Sequence, residues 1–285
     1  MNSLIIVPIL LILSVLPAVV LGIIIYKNDK LEKEPSGLLA KLFMGGIGAI
    51  GLTTLISFIG VYILGIPEEF IGLPIWALAL YSYLFVALTE EFSKWFFVKT
   101  ITWNNKEFNH IYDAIVYSVF VSLGFATLEN IMYVFEGGIG TALLRAVLSV
   151  PGHVFFGVFM GYYYGLAKQA GINGNQKLVK HNLYHSLLLP VLLHGTFNFL
   201  LMTQNVTMVL FYLVFVVFLY IQAVKRIRRF SNIKINLVEE KKVYCHNCGT
   251  RINDMYCPRC GTKRIIWYNI IYGVIERRFI WVIMI

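Results

Sequence analysis

The stretch LIIVPILLILSVLPAVVLGIIIY, residues 4–26, decides the fold. It carries no charged side chain and is long enough for a helix that crosses a bilayer, which needs about 20 mostly apolar residues. No basic segment precedes it, no clear small-residue cleavage site ends it, and Lys27, Lys30 and Lys33 follow at once. We therefore predict a retained transmembrane helix rather than a removed signal peptide.

Further apolar blocks of similar length fill most of the 285-residue chain, which is 58% hydrophobic. In lipid, backbone polar groups must be satisfied inside each segment, and the blocks are too long for barrel strands. The sequence thus predicts an all-α, polytopic membrane helix bundle with about seven transmembrane helices. The predicted spans are Leu4–Tyr26, Leu38–Gly65, Leu73–Val98, Asp113–Phe135, Thr141–Ala167, Leu183–Met202 and Val206–Val224.

The loops between these spans alternate in charge. The loops after spans one, three, five and seven carry Lys or Arg, and the three others carry none. The positive-inside rule then predicts a multi-pass cell-membrane protein with its N-terminus outside and its C-terminal region in the cytoplasm. Orientation in the lipid bilayer accounts for the net charge of +9, so no nucleic-acid partner is predicted.

The chain beyond the last span differs in composition from the bundle. We predict a transmembrane bundle over residues 1–224, a basic linker over 225–242, a cysteine module over 243–264 and an apolar tail over 265–285. The tail is interrupted by Glu276, Arg277 and Arg278, so neither half is long enough to span a bilayer. We assign the tail no role.

All four cysteines lie in YCHNCGTRINDMYCPRCGTK, residues 244–263. They form two C-x2-C pairs, and a glycine follows each pair. Four thiolates at this spacing suit one tetrahedral zinc ion, and the predicted cytoplasmic side disfavours disulfides. The sequence predicts a zinc ribbon with a structural zinc, against the alternatives of a disulfide pair or a redox dithiol. The predicted metal ligands are Cys245, Cys248, Cys257 and Cys260.

Span three carries charged residues at membrane depth, where each one is costly and requires a reason. Glu90 and Glu91 are adjacent, and Lys94 follows at i+4 and i+3. We expect Lys94 to pair with one carboxylate while the other faces a different direction. The alternative is a helix-end charge cluster whose side chains extend to the membrane interface.

Spans four to six add further polar residues at depth. Glu129 lies toward the outer half of span four, where Arg145 is a predicted ion partner for it or for Glu136. His153 is near the middle of span five. We predict that the glycines spaced four apart later in that span serve helix packing; they are Gly157, Gly161 and Gly165.

Span six places His194 near mid-span, with Asn198 one turn further on the same face. Together, the carboxylates and imidazoles of four consecutive spans indicate a polar cavity inside the bundle. Such a cavity is suited either to activating a water molecule for attack on an amide, with or without a metal, or to relaying protons.

Four motifs resemble those of a known family: EEFSK at 90–94, FATLE at 125–129, HVFFG at 153–157 and HGTFN at 194–198. Their order and surroundings resemble the PrsW family of intramembrane proteases, which is similar in turn to the type II CAAX prenyl endopeptidases and bacteriocin-processing enzymes. The resemblance covers roughly residues 38–202. It implies an active site of Glu90, Glu91, Glu129, His153 and His194.

The resemblance further implies Asn198 as an accessory polar ligand and Lys94 as a partner of the glutamate pair. It leaves open whether a catalytic divalent metal or only a glutamate-activated water performs the chemistry. The implied reaction is hydrolysis of a peptide bond in a membrane-associated protein or peptide substrate.

Two other classes of function stay open from the sequence. A proton-coupled membrane transporter would use the same buried Glu/His cluster, although no internal repeat of the kind common in transporters is evident. A membrane scaffold or sensor would use the zinc ribbon and treat the bundle as an anchor.

Overall fold

The computed structural model describes residues 3–30, 32–63, 65–66, 72–231, 243–245, 247–248, 250–252 and 256–262. Its first compact unit is a helix bundle, and its second is a small cysteine module. The predicted tail, residues 265–285, lies outside the described residues. The helices are α1 (Ser3–Asn28), α2 (Ser36–Tyr62), α3 (Ile75–Leu80), α4 (Leu88–Thr102), α5 (Ile111–Val147), α6 (Ser149–Ile172), α7 (Gln176–Met202) and α8 (Val206–Phe230).

Within the described residues, 6 helical stretches are long and apolar enough to cross a membrane. One of them, Ile111–Ile172, has 62 residues, about three times the length that a single crossing needs. The backbone leaves helical geometry at Gly138, where φ is 73°, and α6 packs back against the part of α5 that precedes this point. We therefore assign two crossings to this stretch and seven to the bundle, which confirms the predicted all-α membrane fold.

The third predicted span is one helix with an irregular centre. A π-helical segment, Tyr81–Ala87, joins α3 to α4 without a break. Such segments occur frequently at functional sites, because the wider turn shifts the register of the residues that follow. Here it ends three residues before Glu90. No feature of the sequence pattern predicted it.

Glycines allow two helix pairs to approach closely. A Cβ atom on Gly46 of α2 would lie 2.0 Å from the Val121 carbonyl oxygen of α5. On α6, a Cβ at Gly157, Gly161 or Gly165 would lie 2.4–2.9 Å from atoms of α5. The packing role predicted for the glycines of span five is therefore confirmed, and α5 and α6 form a tightly packed hairpin at the centre of the bundle.

Gly161→Ala should destabilise the bundle by about 1–3 kcal/mol, because its new methyl group would overlap the backbone of α5. Gly140→Ala is the matched control: nothing lies within 4 Å of its Cβ position. The measurement is thermal unfolding in detergent. Equal melting temperatures for the two variants would contradict this view of the hairpin.

Three carboxylates lie buried beside the first loop and the start of α5: Asp29, Glu34 and Asp113. Asp113 Oδ2 accepts hydrogen bonds from the backbone N–H groups of His110 and Asn109, so its carboxylate caps the N-terminus of α5. Glu34 Oε2 accepts a hydrogen bond from the Tyr117 hydroxyl at 3.0 Å. Burial, with the charge of Asp113 beside it, raises the pKa of Glu34 from 4.5 to about 8.

This raised pKa links stability to pH. A carboxyl group with a raised pKa in the folded state contributes stability below its ordinary pKa and loses that contribution as pH rises toward 8. The nearby groups Asp29, Asp113 and Glu107 are acidic and reinforce the effect, and Tyr117 partly offsets it. Glu34→Gln should therefore raise the melting temperature at pH 9 and change it little at pH 5. Glu32→Gln, at an exposed position of the same loop, should leave the melting temperature nearly unchanged at both pH values.

The C-terminal unit contains one short antiparallel strand pair, β1 (Val243–Tyr244) and β2 (Arg251–Ile252), among its described residues. The register places Val243 opposite Ile252 and Tyr244 opposite Arg251. The first C-x2-C turn lies between these two strands.

Candidate active site

Lys94 is the centre of a charged cluster inside the bundle. Its side chain is fully buried, and its Nζ donates hydrogen bonds to Glu91 Oε1 at 2.8 Å and Glu90 Oε2 at 3.3 Å. The same ammonium lies 3.2 Å from His153 Nδ1 on α6 and 4.0 Å from the centre of the Phe125 ring on α5. One side chain therefore joins three helices.

The expectation that Lys94 pairs with only one glutamate is wrong. The lysine stem places Nζ between both carboxylates, since the three residues share the buried face of α4. The alternative of a cluster that extends to the interface is also wrong for these residues, because Lys94 and Glu91 are each 0% exposed. Buried charges of this kind need close partners, and here each has at least one.

Glu91 connects this cluster to α7. Its Oε1 lies 2.9 Å from His194 Nδ1, so the imidazole donates its Nδ1 proton to the carboxylate. In the neutral form of this imidazole, the Nε2 atom carries a lone pair, and Nε2 lies 4.0 Å from Glu90 Oε2. The Phe156 ring stacks on the His194 imidazole with centroids 4.8 Å apart and holds its plane.

Glu129 belongs to the same cluster through His153. Its Oε2 accepts hydrogen bonds from His153 Nε2 at 2.8 Å and from Arg145 Nη2 at 2.8 Å. The predicted Arg145–Glu129 pair is therefore confirmed. Since Lys94 donates to Nδ1 of His153 and Glu129 accepts from Nε2, both nitrogens of this imidazole are occupied.

Asn130 and the backbone of α1 hold Arg145, the partner of Glu129, in place through hydrogen bonds. Arg145 Nε donates to Asn130 Oδ1 at 2.9 Å, and Asn130 Nδ2 donates to the Ser14 carbonyl of α1 at 2.8 Å. Both Asn130 and Ser14 are fully buried. No sequence pattern indicates this link, because Asn130 and its partner on α1 lie 116 positions apart.

Side-chain hydrogen bonds support α4 next to the glutamate pair. Thr89 Oγ1 donates to the carbonyl oxygens of Phe85 and Val86, at 2.7 and 2.9 Å, where the π-helical segment passes into α4. Ser93 Oγ donates to the Thr89 carbonyl. These bonds satisfy carbonyls at the irregular turn without breaking the helix. The helix therefore stays continuous through the functional residues.

Five of the six predicted catalytic residues form this one connected cluster: Glu90, Glu91, Glu129, His153 and His194. The sixth, Asn198, is only half-buried and makes no polar contact with the other five among the described residues. Its predicted role as an accessory ligand stays a prediction. Lys94, Arg145 and Phe156 complete the cluster, and Phe156 is the member that sequence reasoning missed.

The donor set suits a divalent metal. Ligand atoms of Glu90, Glu91, His153 and His194 all lie within 4.8 Å of one another. Carboxylate and imidazole ligands are those of many catalytic metal sites. Glu91 Oε2 is buried and has no hydrogen-bond partner among the described residues, so one ligand atom is available. The residues therefore fit a metal ion, with Lys94 as a neighbouring cation.

A second ligand cluster lies in the cysteine module. The thiols of Cys245, Cys248, Cys257 and Cys260 converge within 4.8 Å. The pairs Cys245–Cys260 and Cys248–Cys257 have Sγ–Sγ distances of 3.4 and 3.5 Å, too long for disulfide bonds. The backbone N–H groups of Cys245 and Cys257 donate to the carbonyls of Thr250 and Thr262, so the described parts of the two turns repeat one design. His246 lies outside the described residues.

A buried carboxylate–imidazole cluster in a multi-pass helix bundle suits an intramembrane hydrolase, one of the classes of function that the sequence left open. Comparison with known proteins narrows this class. The model of the PrsW family intramembrane metalloproteases matches residues 34–223. The chain belongs to the PrsW family.

Curated relatives named Protease PrsW support this assignment. One from Oceanobacillus iheyensis is 41% identical over 217 residues, which are 76% of this chain and 93% of the relative. One from Geobacillus kaustophilus is 39% identical over 67% of this chain and 79% of its own length. One from Bacillus subtilis is 33% identical over 73% and 88%. No solved structure matches the chain significantly.

The family membership settles the class of function. The protein is an intramembrane peptidase in a multi-pass membrane bundle, so the predicted resemblance and the predicted enzyme class are confirmed. The comparisons do not favour the transporter or the scaffold hypothesis. The family match ends at residue 223, before the cysteine module.

Proposed function

We propose that Glu90 is the general base that activates the hydrolytic water, and that Glu91 and His194 position this water. One observation carries the choice: of the two adjacent glutamates, only Glu90 lines an open groove, between α2 and the π-helical segment. Glu91 is fully buried, and its Oε1 is already engaged by Lys94 and His194. The gap between Glu90 Oε2 and His194 Nε2 is then the place of the water.

The reaction follows from these positions. Glu90 takes a proton from the water, whose oxygen forms a bond to the peptide carbonyl carbon. The tetrahedral intermediate then expels the amine as the C–N bond breaks, and Glu90 returns its proton to the leaving nitrogen. Lys94 holds both carboxylates in place throughout. Glu129 fixes His153, whose Nδ1 accepts the third hydrogen bond of the Lys94 ammonium.

A metal, if bound, would be held by Glu90, Glu91 and His194. His153 is outside this proposed ligand set because both of its ring nitrogens are engaged. When bound, a divalent ion would polarise the scissile carbonyl and the attacking water. We keep Asn198 as an accessory polar group, since it lies one helical turn from His194.

The alternation of basic loops supports an N-terminus outside the cell and a cytoplasmic C-terminus. For the cysteine module we propose a structural zinc held by Cys245, Cys248, Cys257 and Cys260. The convergence of four thiols that form no disulfide supports it, and four protein ligands leave no open position for chemistry.

Removing the proposed base should abolish cleavage while leaving the bundle folded. We expect Glu90→Gln, Glu91→Gln and His194→Ala each to lower activity by a factor of about 10² or more. The measurement labels new protein N-termini in membranes of cells that express wild type or variant. Termini that depend on the wild-type protein should disappear.

Glu136→Gln is the matched control, because Glu136 is exposed on α5 and outside the cluster. It should leave the set of termini unchanged. Wild-type activity in Glu90→Gln would sink the assignment of the general base, and wild-type activity in all three variants would sink the site.

Metal analysis of purified protein separates the two candidate metal sites. Wild type should carry one zinc per chain in the module, and the double variant Cys245→Ser/Cys257→Ser should lose it. Any ion that the double variant retains and that the further change His194→Ala removes belongs to the bundle. Zinc that persists in the double variant and also survives His194→Ala would contradict both assignments.

A further inference from the structure

Two adjoining cavities lie between α2 and the helix that carries the glutamates. The first, of about 330 Å³, is lined by Thr53, Ser57, Tyr81, Thr89 and Glu90, among others. The second, of about 390 Å³, is lined almost entirely by apolar side chains. These include Ile56, Ile59, Leu84, Phe85, Leu88 and Phe92. Phe85 and Thr89 border both cavities, so the two adjoin, and the first reaches Glu90. We refer to the pair of adjoining cavities as the groove.

The π-helical segment forms one wall of this groove. Tyr81 and Phe85, both in the segment, line the first cavity, and Leu84 and Phe85 line the second. Gly60 of α2 packs directly on the Phe85 ring, where a Cβ atom would lie 2.3 Å from Cε2. Phe85 therefore has a fixed position between the two cavities.

The two cavities differ in chemistry. The first has hydroxyl groups on both walls. Thr53 Oγ1 is buried and has no hydrogen-bond partner among the described residues. Thr89 Oγ1 already donates its proton to the helix backbone, so its oxygen is left to accept. A peptide backbone has the N–H and C=O groups that such hydroxyls bind, whereas a lipid acyl chain has none.

We propose that this groove binds the substrate on the segment next to the scissile bond. The segment lies extended, with its backbone against Thr53 and Thr89 in the first cavity and one large apolar side chain in the second. The substrate class is thus a membrane-associated peptide with a bulky aliphatic or aromatic residue close to the cut. This inference rests on the proposed function, because the position of Glu90 gives the groove its significance.

An extended conformation follows from the reaction itself. A helical peptide bond is shielded by its own hydrogen bonds and side chains, so attack on it requires that the segment unwind. Unwinding in the membrane leaves backbone N–H and C=O groups without hydrogen-bond partners. Each such unpaired group costs on the order of several kcal/mol. The hydroxyls of the first cavity provide such partners next to Glu90.

The test changes the size of the apolar cavity and reads the sequence around each cut by N-terminal labelling of membrane proteins. Ile56→Trp should fill the cavity and shift the preference at one position from large apolar to small residues, by about tenfold or more. Ile56→Ala should shift the same position toward bulkier residues. Leu55→Trp, the matched control, alters an exposed neighbour that lines neither cavity and should shift nothing.

Thr53→Val tests the backbone contact separately. It removes one hydroxyl at nearly constant shape and should slow all cuts by about threefold to tenfold, the value of one hydrogen bond. The residue preference should stay unchanged. A change of preference without loss of rate would contradict the assigned division of roles between the two cavities.

The possible results distinguish a failure of the groove inference from a failure of the proposed function. If wild type produces cuts but both Ile56 variants keep its preference, the groove is not the substrate site and the proposed function stands. If Ile56→Trp instead loses a co-purifying lipid with the preference unchanged, the groove holds lipid and the inference is overturned. If wild type produces no termini beyond those of Glu91→Gln, the proposed function fails and this inference falls with it.

Discussion

The ammonium group of Lys94 is the constraint on which the rest of the bundle depends. Three carboxylates within one apolar bundle repel each other and each lose their hydration, so they require a cation in direct contact. Lys94 contacts two of them and reaches the third through His153. Because its partners lie on α4 and α6 and are themselves held by α5 and α7, four helices must be in register for this one charge to be satisfied.

Such a buried charge cluster contributes little to stability when compared with apolar packing, but it specifies one arrangement. Any slip of α6 or α7 along α4 would leave a charge without its partner. The stability comes instead from close helix contacts such as those at Gly46 and Gly161. The close glycine contacts and the buried charges therefore have different roles on the same helices. Packing brings the backbones together, and the charges fix the register of the helices.

The first helix takes part in the site although the family match begins only at residue 34. The Ser14 carbonyl holds Asn130, Asn130 holds Arg145, and Arg145 holds Glu129. The chain of hydrogen bonds continues through His153 to Lys94. The first span thus supports the charged cluster through hydrogen bonds, in addition to anchoring the chain in the membrane.

Hydropathy predicted the spans because polar groups in lipid cost much free energy, so each span must be a continuous apolar stretch of the sequence. The same cost drew attention to Glu90, Glu91, His153 and His194, since few other reasons place such residues at depth. The spacings of i+3 and i+4 allow Lys94 to reach either glutamate, but whether it pairs with one or with both depends on the direction of its side chain on α4, which the spacing does not decide. The stacking of Phe156 on His194 and the groove beside Glu90 depend on the crossing of helices distant in sequence.

The position of Lys94 also frames how a metal would act in this site. A divalent ion held by Glu90, Glu91 and His194 would use the same carboxylates that now bind the ammonium. At 4 Å, the repulsion between such an ion and Lys94 would be about 8 kcal/mol for an effective dielectric constant of 20. A metal at these carboxylates would therefore require Nζ to give up its contacts with them and keep only those with the Phe125 ring and His153 Nδ1. Without a metal, three ionised carboxylates face Lys94 and Arg145, an excess of one negative charge that the proton taken up by the proposed general base would neutralise. The position of Lys94 therefore bears on whether a metal or a proton would balance the charge of the cluster.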